Sequence, residues 1–418
     1  MSAGIEALNV YCGIAQIPVP VIFEARGLEP GRLGNLMMTS RSVALPCEDP
    51  VTHAVNAARP LIDALPAADR DRIEILITST ESGLDYSKSV ASYVHDQLGL
   101  RRQCRLLEVK QACYAATAAV QLAAGYLASG ASPGARALVI ATDVSVVDGR
   151  AGYAEPAMGT GAAALLISAE PRVLTLDFGA FGNYSYETLD SARPGPDFDI
   201  ADADRSLFAY LDCLTGCVRD YTTRVDGVDF AATFDHLAMH TPFAGMVRAA
   251  HRKLMREFAG PRQASPAAVE ADFQRRVAPS LAYPGIVGNL CSGSVYLALA
   301  SLLDHADVSA GARVGLYSYG SGCSSEFFSG VVTAQSAAAV GAMRIGRCLA
   351  ARCELDFAEY AALLAASARC LVPERDRRIE VADYLPLARR YGLDRELLVC
   401  TGTKEYHRTY EWIAAGQG

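Results

Sequence analysis

Short apolar runs that stop abruptly at polar or glycine residues set the rhythm of the chain. "RIEILITSTES" (72–82), "CRLLEVKQAC" (104–113), "ARALVIATD" (135–143) and "GTGAAALLIS" (159–168) each carry a continuous rather than alternating apolar stretch. That pattern predicts strands buried on both faces, in a sheet covered by helices on either side. The α/β class follows. After the second run comes "YAATAAVQLAAGYLASG", with Ala at 115, 116, 118, 119, 123, 124 and 128, so neighbouring elements can approach this helix closely from every side. A buried helix beginning near Cys113 is predicted.

The same order of elements returns in the second half. "FDHLAMHTPF" ends around His240, "GIVGNLCSGSVYLALASLLD" turns into another small-residue helix after Asn289, and "ARVGLYSYGSG" ends in glycines. From Cys113 to Asp143 is 143 − 113 = 30 residues, and from Asn289 to Ser318 is 318 − 289 = 29. One duplicated unit accounts for both. The expected division is an N-terminal half over 1–175, a C-terminal half over 176–335, and an elaboration over 336–418 that is helical and then irregular, packed on the same core. Residues 190–206, rich in Pro, Gly and Asp, are expected as a surface loop between the halves, and 259–268 as a break between two helices.

Composition narrows the class without naming a reaction. With 418 residues, 51% of them hydrophobic, the chain can bury a large core. A net charge of −8 argues against nucleic acid as the main partner. The twelve cysteines are scattered, the amino end has no signal-like pattern, and no apolar run is long enough to span a membrane. A reduced, cytoplasmic protein is expected. Cys213 and Cys217, four apart, and Cys348 and Cys353, five apart, lack the spacing that zinc usually needs, so they are expected to be core packing and no metal site is assigned.

Candidate chemistry collects at the carboxyl ends of the strands, where open α/β sheets place their ligands. Glu81, Cys113, His240, Asn289 and the 318–322 loop all fall there. A cysteine at the start of a helix feels the positive end of the helix dipole, which favours the thiolate. Each residue alone has an ordinary explanation as well: a packed thiol, a solvated carboxylate near a helix start, a structural histidine ahead of Pro242 at the first turn of a helix. Their shared position in the repeat is what suggests one pocket holding a nucleophile, a base and a proton donor.

The motifs "QACYAAT", "TESGLDYSKS", "HTPFAGMVRAAHRKLM", "VGNLCSGSVYLALASLLD" and "SYGSGCSSEFFSG", in that order, resemble the 3-hydroxy-3-methylglutaryl-CoA synthase family of the thiolase superfamily, from about residue 3 to the end. "ALPCEDPVTHAVNAARPLID", "EADFQRRV" and "SLFAYLDCL" resemble the branch of that family that installs β-branches in polyketide assembly. The resemblance implies a five-layered αβαβα thiolase fold and a homodimer. It implies Cys113 as acyl-accepting nucleophile, Glu81 as general base and His240 beside the acceptor ketone. It also puts Asp143, Asp190, Asn289, Tyr319, Gly320 and Ser321 around the substrate. Asp190 stands where the family has D-x-x-R/K-P. Cys291 and Cys323 depart from what relatives often carry and are read as packing, and the segment 144–153 is shorter than expected.

The activity so implied is acetylation of Cys113, aldol-type condensation of the acetyl group onto the β-ketone of a β-ketoacyl thioester, and release of a 3-hydroxy-3-carboxymethyl acyl product. No tightly bound cofactor is implied. The substrates would be phosphopantetheine thioesters, acetyl-ACP or acetyl-CoA, and the partners donor and acceptor acyl carrier proteins. An acidic carrier needs a basic patch, for which "RRQCR" (101–105) and "RAAHRKLMR" (248–256) are the candidates. Three other readings remain: the same chemistry on acetyl-CoA and acetoacetyl-CoA in the mevalonate pathway, a decarboxylative condensing enzyme using Cys, His and Asn, and an inactive carrier-binding scaffold.

Overall fold

A computed structural model describes residues 2–145, 152–392 and 395–415. Residues 146–151, within the short segment after Asp143, lie outside the described residues.

In chain order the elements that build the site begin with β1 (Gly4–Tyr11), α1 (Pro50–Asp63), β2 (Ile73–Ser79), α2 (Val90–Gln97), β3 (Arg105–Val109), α3 (Ala115–Ala128), β4 (Arg136–Asp143), β5 (Gly161–Ser168) and β6 (Leu174–Ser185). They continue with β7 (Ser191–Gly195), β8 (Phe198–Ala201), α4 (Ala203–Arg224), β9 (His236–Met239), α5 (Ala244–Phe258), α6 (Pro266–Arg276), α7 (Ser294–His305), β10 (Arg313–Gly320), β11 (Ser324–Val332), β12 (Arg395–Lys404) and β13 (His407–Ala415).

Nine of the strands form one sheet in the order β9-β10-β11-β6-β1-β5-β4-β2-β3. The duplication is visible in it. β2 runs parallel to β4 and β4 antiparallel to β5, just as β9 runs parallel to β10 and β10 antiparallel to β11. The halves join where β1, paired along its length with β5, touches β6 only at Gly4 and Ile5. A Cβ on Gly4 would run into the Leu174 carbonyl, so the crossing of the two half-sheets needs glycine there.

Three apolar clusters resolve the layers. The largest puts α3 and α7 between the half-sheets, with Ala116, Ala119, Val120, Val295 and Leu299 against Ile77, Val139, Leu316 and Phe328. A second covers the outer face of the first half with α1, α2 and part of the C-terminal region. The third covers the outer face of the second half with α4, α5 and α6. Helix, sheet, helix, sheet, helix is the five-layered thiolase arrangement. The alanine-rich run of α3 is explained by this position: a helix with a half-sheet on either side tolerates only small side chains if both are to stay in contact.

Local sequence sets the helix starts. Asp49 caps α1 by accepting from the Thr52 amide, while the Thr52 hydroxyl accepts from the Asp49 amide. Asp202 and Ser265 cap α4 and α6 in the same sense.

Two expectations need correction. Beyond residue 336 the chain is helical, but its end is not irregular: β12 and β13 form a hairpin whose Leu397, Leu398 and Val399 are buried in the second cluster. Leu397, Leu398, Val399 and Cys400 are buried one after another, so the signal was a short continuous apolar run, the same mark that the buried strands of the large sheet carry. Pro242 lies outside helix α5, which begins at Ala244 with Phe243 in its N-cap position.

Candidate active site

Two matching turns hold the reactive groups. Ala112, just before Cys113, has φ 44°, and Cys291 has φ 48°; each opens a short 3-10 turn that runs into α3 or α7. The structural counterpart of Ala112 is therefore Cys291, and Asn289 lies two residues ahead of the second turn. Left-handed backbone at a non-glycine residue is strained, and here it swings the Cys113 side chain out of the helix line toward open space.

That space is a cavity of about 790 Å³ lined by Glu81, Cys113, His240, Asn289, Cys291 and Ser321, with Tyr210, Phe243 and Met246 among its apolar walls. Cys113 Sγ donates to Glu81 Oε1 at 3.0 Å. The Cys291 thiol belongs to the same cluster, all three ligating atoms lying within 4.8 Å of one another. Cys291 is thus part of the site rather than packing alone. Cys323 does pack, its Sγ 3.4 Å from that of Cys213.

The thiol is not held as a thiolate. A hydrogen bond from Cys291 favours the charged form, but burial and the Glu81 carboxylate outweigh it and push Cys113 up to about 12. Cys291 is also raised well above the usual thiol range, by its bond to Cys113 and then by burial. The helix-dipole expectation fails for a physical reason: a full negative charge at hydrogen-bond distance and loss of solvent exceed the partial charge of a helix end. The proton on Cys113 instead points at a carboxylate that can take it.

Glu81 is fixed from two sides. Asp143, at the end of β4, accepts at Oδ1 from the Glu81 amide at 2.7 Å and from the Thr80 and Ser82 hydroxyls, both at 3.1 Å. Burial and the neighbouring Glu81 raise Asp143 well above the carboxylate range, against the pull of Arg193. Arg193 Nη1 donates to the Glu81 carbonyl at 3.2 Å and to Ser82 Oγ at 3.0 Å. Burial works against the Arg193 charge, but its pairing with Asp199 across the hairpin holds it above the usual range.

Those contacts correct the reading of residues 190–206. They form not a loop but the hairpin of β7 and β8, which leans on the cavity through Arg193. Prolines and aspartates disguised it. Arg193 was the site residue that sequence reasoning passed over, although it is the basic residue of the D-x-x-R-P stretch beginning at Asp190.

His240 follows β9, and its amide donates to the Tyr317 carbonyl at 2.7 Å, which sets the ring at the cavity wall. Burial lowers it to about 3, so the imidazole is neutral at ordinary pH. Its Nδ1 is buried and unpartnered among the described residues. Asn289 Oδ1 accepts from the Cys291 amide at 2.9 Å and from Ser294 Oγ at 2.8 Å, which fixes the side chain and leaves its NH2 group as the free donor among the described residues. Ser321 also lines the cavity.

Asp143, Asp190, Tyr319 and Gly320 stand behind that wall. Asp190 accepts from Tyr319 Oη at 2.6 Å and from the Gly322 amide at 2.8 Å, tying the 319–322 turn to the hairpin. Gly320 lies against the nucleophile turn, where a Cβ would meet the Gln111 carbonyl and, at 2.6 Å, the Tyr114 amide nitrogen.

A cysteine projected from a strained turn at the head of a central helix, facing a carboxylate from one half and an imidazole from the other, defines a thiolase-type condensing enzyme. Two family models, described as hydroxymethylglutaryl-coenzyme A synthase N terminal and C terminal, match residues 3–171 and 261–371. The chain belongs to the hydroxymethylglutaryl-CoA synthase family. The Bacillus subtilis protein named polyketide biosynthesis 3-hydroxy-3-methylglutaryl-ACP synthase PksG is 43% identical over 423 residues, covering 99% of this chain and 100% of that one. Among solved structures, the curacin biosynthetic pathway HMG synthase in complex with acetyl donor-ACP superposes with a TM-score of 0.95 at 46% identity, over 99% of this chain and 100% of that chain. MvaS in complex with 3-hydroxy-3-methylglutaryl coenzyme A matches with a TM-score of 0.86 at 32% identity, over 98% and 99%.

Proposed function

We propose that this HMG synthase works in polyketide β-branching, on acyl groups carried by acyl carrier proteins. The observation that carries the chemistry is the 3.0 Å contact of Cys113 with Glu81 inside a cavity shared with His240 and Asn289. The carrier reading is supported by the likeness to PksG and to the curacin enzyme, whose names and complexes concern acyl carrier proteins.

In the first step the Cys113 sulfur attacks the acetyl thioester as its proton passes to Glu81; the carrier thiol leaves with a proton, and acetyl-S-enzyme remains. Glu81, again a carboxylate, then removes a proton from the acetyl methyl. The nascent carbanion forms a carbon–carbon bond with the acceptor β-ketone, whose oxygen receives a hydrogen bond from His240. A neutral imidazole suits this role, as a polarising donor rather than a fixed cation. The net proton reaching the new alkoxide balances the one taken from the methyl. Asn289 and Ser321, which line the cavity, are the groups assigned here to steady the thioester oxygen. Water then cleaves the Cys113 thioester, freeing the new carboxylate and leaving the 3-hydroxy-3-carboxymethyl acyl group on the acceptor carrier.

Helix α5 is the better docking candidate for an acidic carrier. It leads away from the cavity residues Phe243 and Met246 and exposes Arg252 and Arg256. Arg101 sits at the far end of β3 from the cavity and is engaged with Glu74. A homodimer through β3 is supported by its open outer edge and by the exposure of Leu106, Leu107, Leu122 and Tyr86 nearby.

The test is direct. Incubation with acetyl-loaded carrier protein should add one acetyl group to the Cys113 peptide, detected by intact and peptide mass, and do so with higher kcat/KM than acetyl-CoA. No adduct on Cys113 would remove the central step, and a preference for acetyl-CoA would return the protein to the mevalonate reading.

A further inference from the structure

A second cavity opens beside the first. It measures about 390 Å³ and shares Glu81, Lys110 and Arg193 with the larger one, whereas Cys113, His240 and Asn289 line the larger one alone. Its far walls come from three separate parts of the chain: Leu84 after β2, Pro194 and Pro196 of the β7–β8 hairpin, and Leu371 and Pro373 from the C-terminal region, with Tyr406 of the β12–β13 turn closing one side. Asp85, Glu108, Glu374 and Arg408 give it a polar rim.

The stereochemistry of the proposed reaction requires such a branch. The ketone carbon under attack bears two carbon substituents. One leads through the thioester to the pantetheine arm. The other is the remainder of the acyl chain. The arm that delivers acetyl to Cys113 runs through the larger cavity, which Cys113 lines, and not through the smaller one, which it does not. At a carbon becoming tetrahedral the second substituent must diverge from the first, and an acceptor longer than acetoacetyl then needs room beyond Glu81. The second cavity begins there, next to the base whose Oε1 is 3.0 Å from the nucleophile.

We infer that the smaller cavity receives the part of the acceptor chain beyond the β-ketone, and that it suits an extended, oxygen-bearing acyl group. Proline, leucine and tyrosine surfaces take the carbon chain. Lys110 and Arg193, at the junction, are donors for carbonyl or hydroxyl oxygens along it. Arg193 is held to Asp199, Ser82 and the Glu81 carbonyl, so it is a fixed wall of the junction instead of a mobile side chain. This inference rests on the β-branching reading and names the substrate class that reading leaves open.

The experiment compares two acceptors on one carrier protein, acetoacetyl and 3-oxododecanoyl, using enzyme already acetylated on Cys113. Pro373→Trp fills the second cavity from an exposed loop, and Pro194→Trp fills it from the hairpin, so a folding defect in one does not end the test. The expected result in both variants is a fall of tenfold or more in kcat/KM for the long acceptor, against less than twofold for acetoacetyl. Equal losses for both acceptors, or no change for either, would overturn the assignment of this cavity. Failure of the unaltered protein to acetylate Cys113 or to condense either acceptor would instead strike the β-branching reading itself.

Discussion

The Cys113 thiol donates to Glu81 across 3.0 Å, and the same carboxylate is one of the groups that holds the thiol protonated. Replacing Glu81 therefore has two opposed effects on the first half-reaction. It removes the acceptor for the sulfur's proton, and it lowers the cost of forming the thiolate. Glu81→Ala and Glu81→Gln are expected to retain acetylation and to lose condensation by at least about a hundredfold, the scale of a missing general base. The same variants should be alkylated by iodoacetamide at pH 8 several-fold faster than the unaltered protein, since each pKa unit lost multiplies the thiolate fraction about tenfold. Normal condensation in either variant would assign the base elsewhere.

His240 makes a different pH prediction. Burial keeps its folded pKa near 3, below the ordinary value of 6.5, so its neutral form contributes to stability above about pH 6.5 and that contribution drains away as pH falls toward 3. Between pH 7 and 5 a His240→Asn variant should lose less stability than the unaltered protein in parallel thermal melts. The condensation rate of the unaltered protein, divided by that of the variant, should stay flat from pH 6 to 8, because no imidazole changes charge there. A ratio that steps near pH 6.5 would mean that His240 acts as a cation.

At Gly320 the end of β10 presses on the nucleophile turn. A methyl group there meets backbone atoms of Gln111 and Tyr114, neither of which can rotate aside. Gly320→Ala should displace Cys113 and cost tenfold or more in acetylation rate, consistent with the sensitivity of reactive groups to small misplacements. Circular dichroism should show the fold retained. Acetylation at the normal rate would show that β10 or the turn yields without moving the sulfur.

Much of this arrangement was legible in the chain because buried strands and small-residue helices leave continuous signatures. The equivalence of the two halves was readable, but its register was not. Spacing matched Cys113 to Asn289, while the backbone matches Ala112 to Cys291 through their shared positive φ, a property that no side-chain type announces at alanine or cysteine. The hairpin of β7 and β8 was hidden because Arg193 and Asp199 bind it across a Pro-Gly-Pro stretch that reads as loop. The protonation of Cys113 was missed because it depends on how close Glu81 and Asp143 come in space, which the dipole argument from helix position does not contain.

The outer edge of β3 yields a prediction about assembly. Among the described residues it has no strand beyond it, and Leu106 and Leu107 are each more than a third exposed, with Leu122 on α3 at 63%. Exposed edges of this kind attract another strand. The protein is expected to sediment with the mass of two chains at micromolar concentration. Leu107→Glu should give the mass of one chain, with reduced thermal stability, because like charges would face each other across the joined edges. A single-chain mass for the unaltered protein would exclude this interface.

Glu326 supplies the last prediction. It sits on β11 and accepts from Tyr114 Oη at 2.8 Å and from Gln121 Nε2 at 2.7 Å, so it ties the nucleophile helix α3 to the opposite half-sheet. Burial raises it to about 7 in spite of those two bonds. For an acid whose folded pKa lies above its unfolded value, the proton-bound form is favoured by folding. That stabilisation is full below the ordinary 4.5 and is lost as pH rises through 7. Glu326→Gln removes the titration while keeping a side chain that can bond Tyr114, and Gln121 can turn its amide to match. At pH 8 the variant should be more stable than the unaltered protein by about 2 kcal/mol, a gain that shrinks toward zero by pH 5. Urea unfolding at the two pH values measures it. An equal difference at both would show that Glu326 acts by shape and not by charge, and acetylation unchanged in the variant would place it among the supports of α3 rather than among the reacting groups.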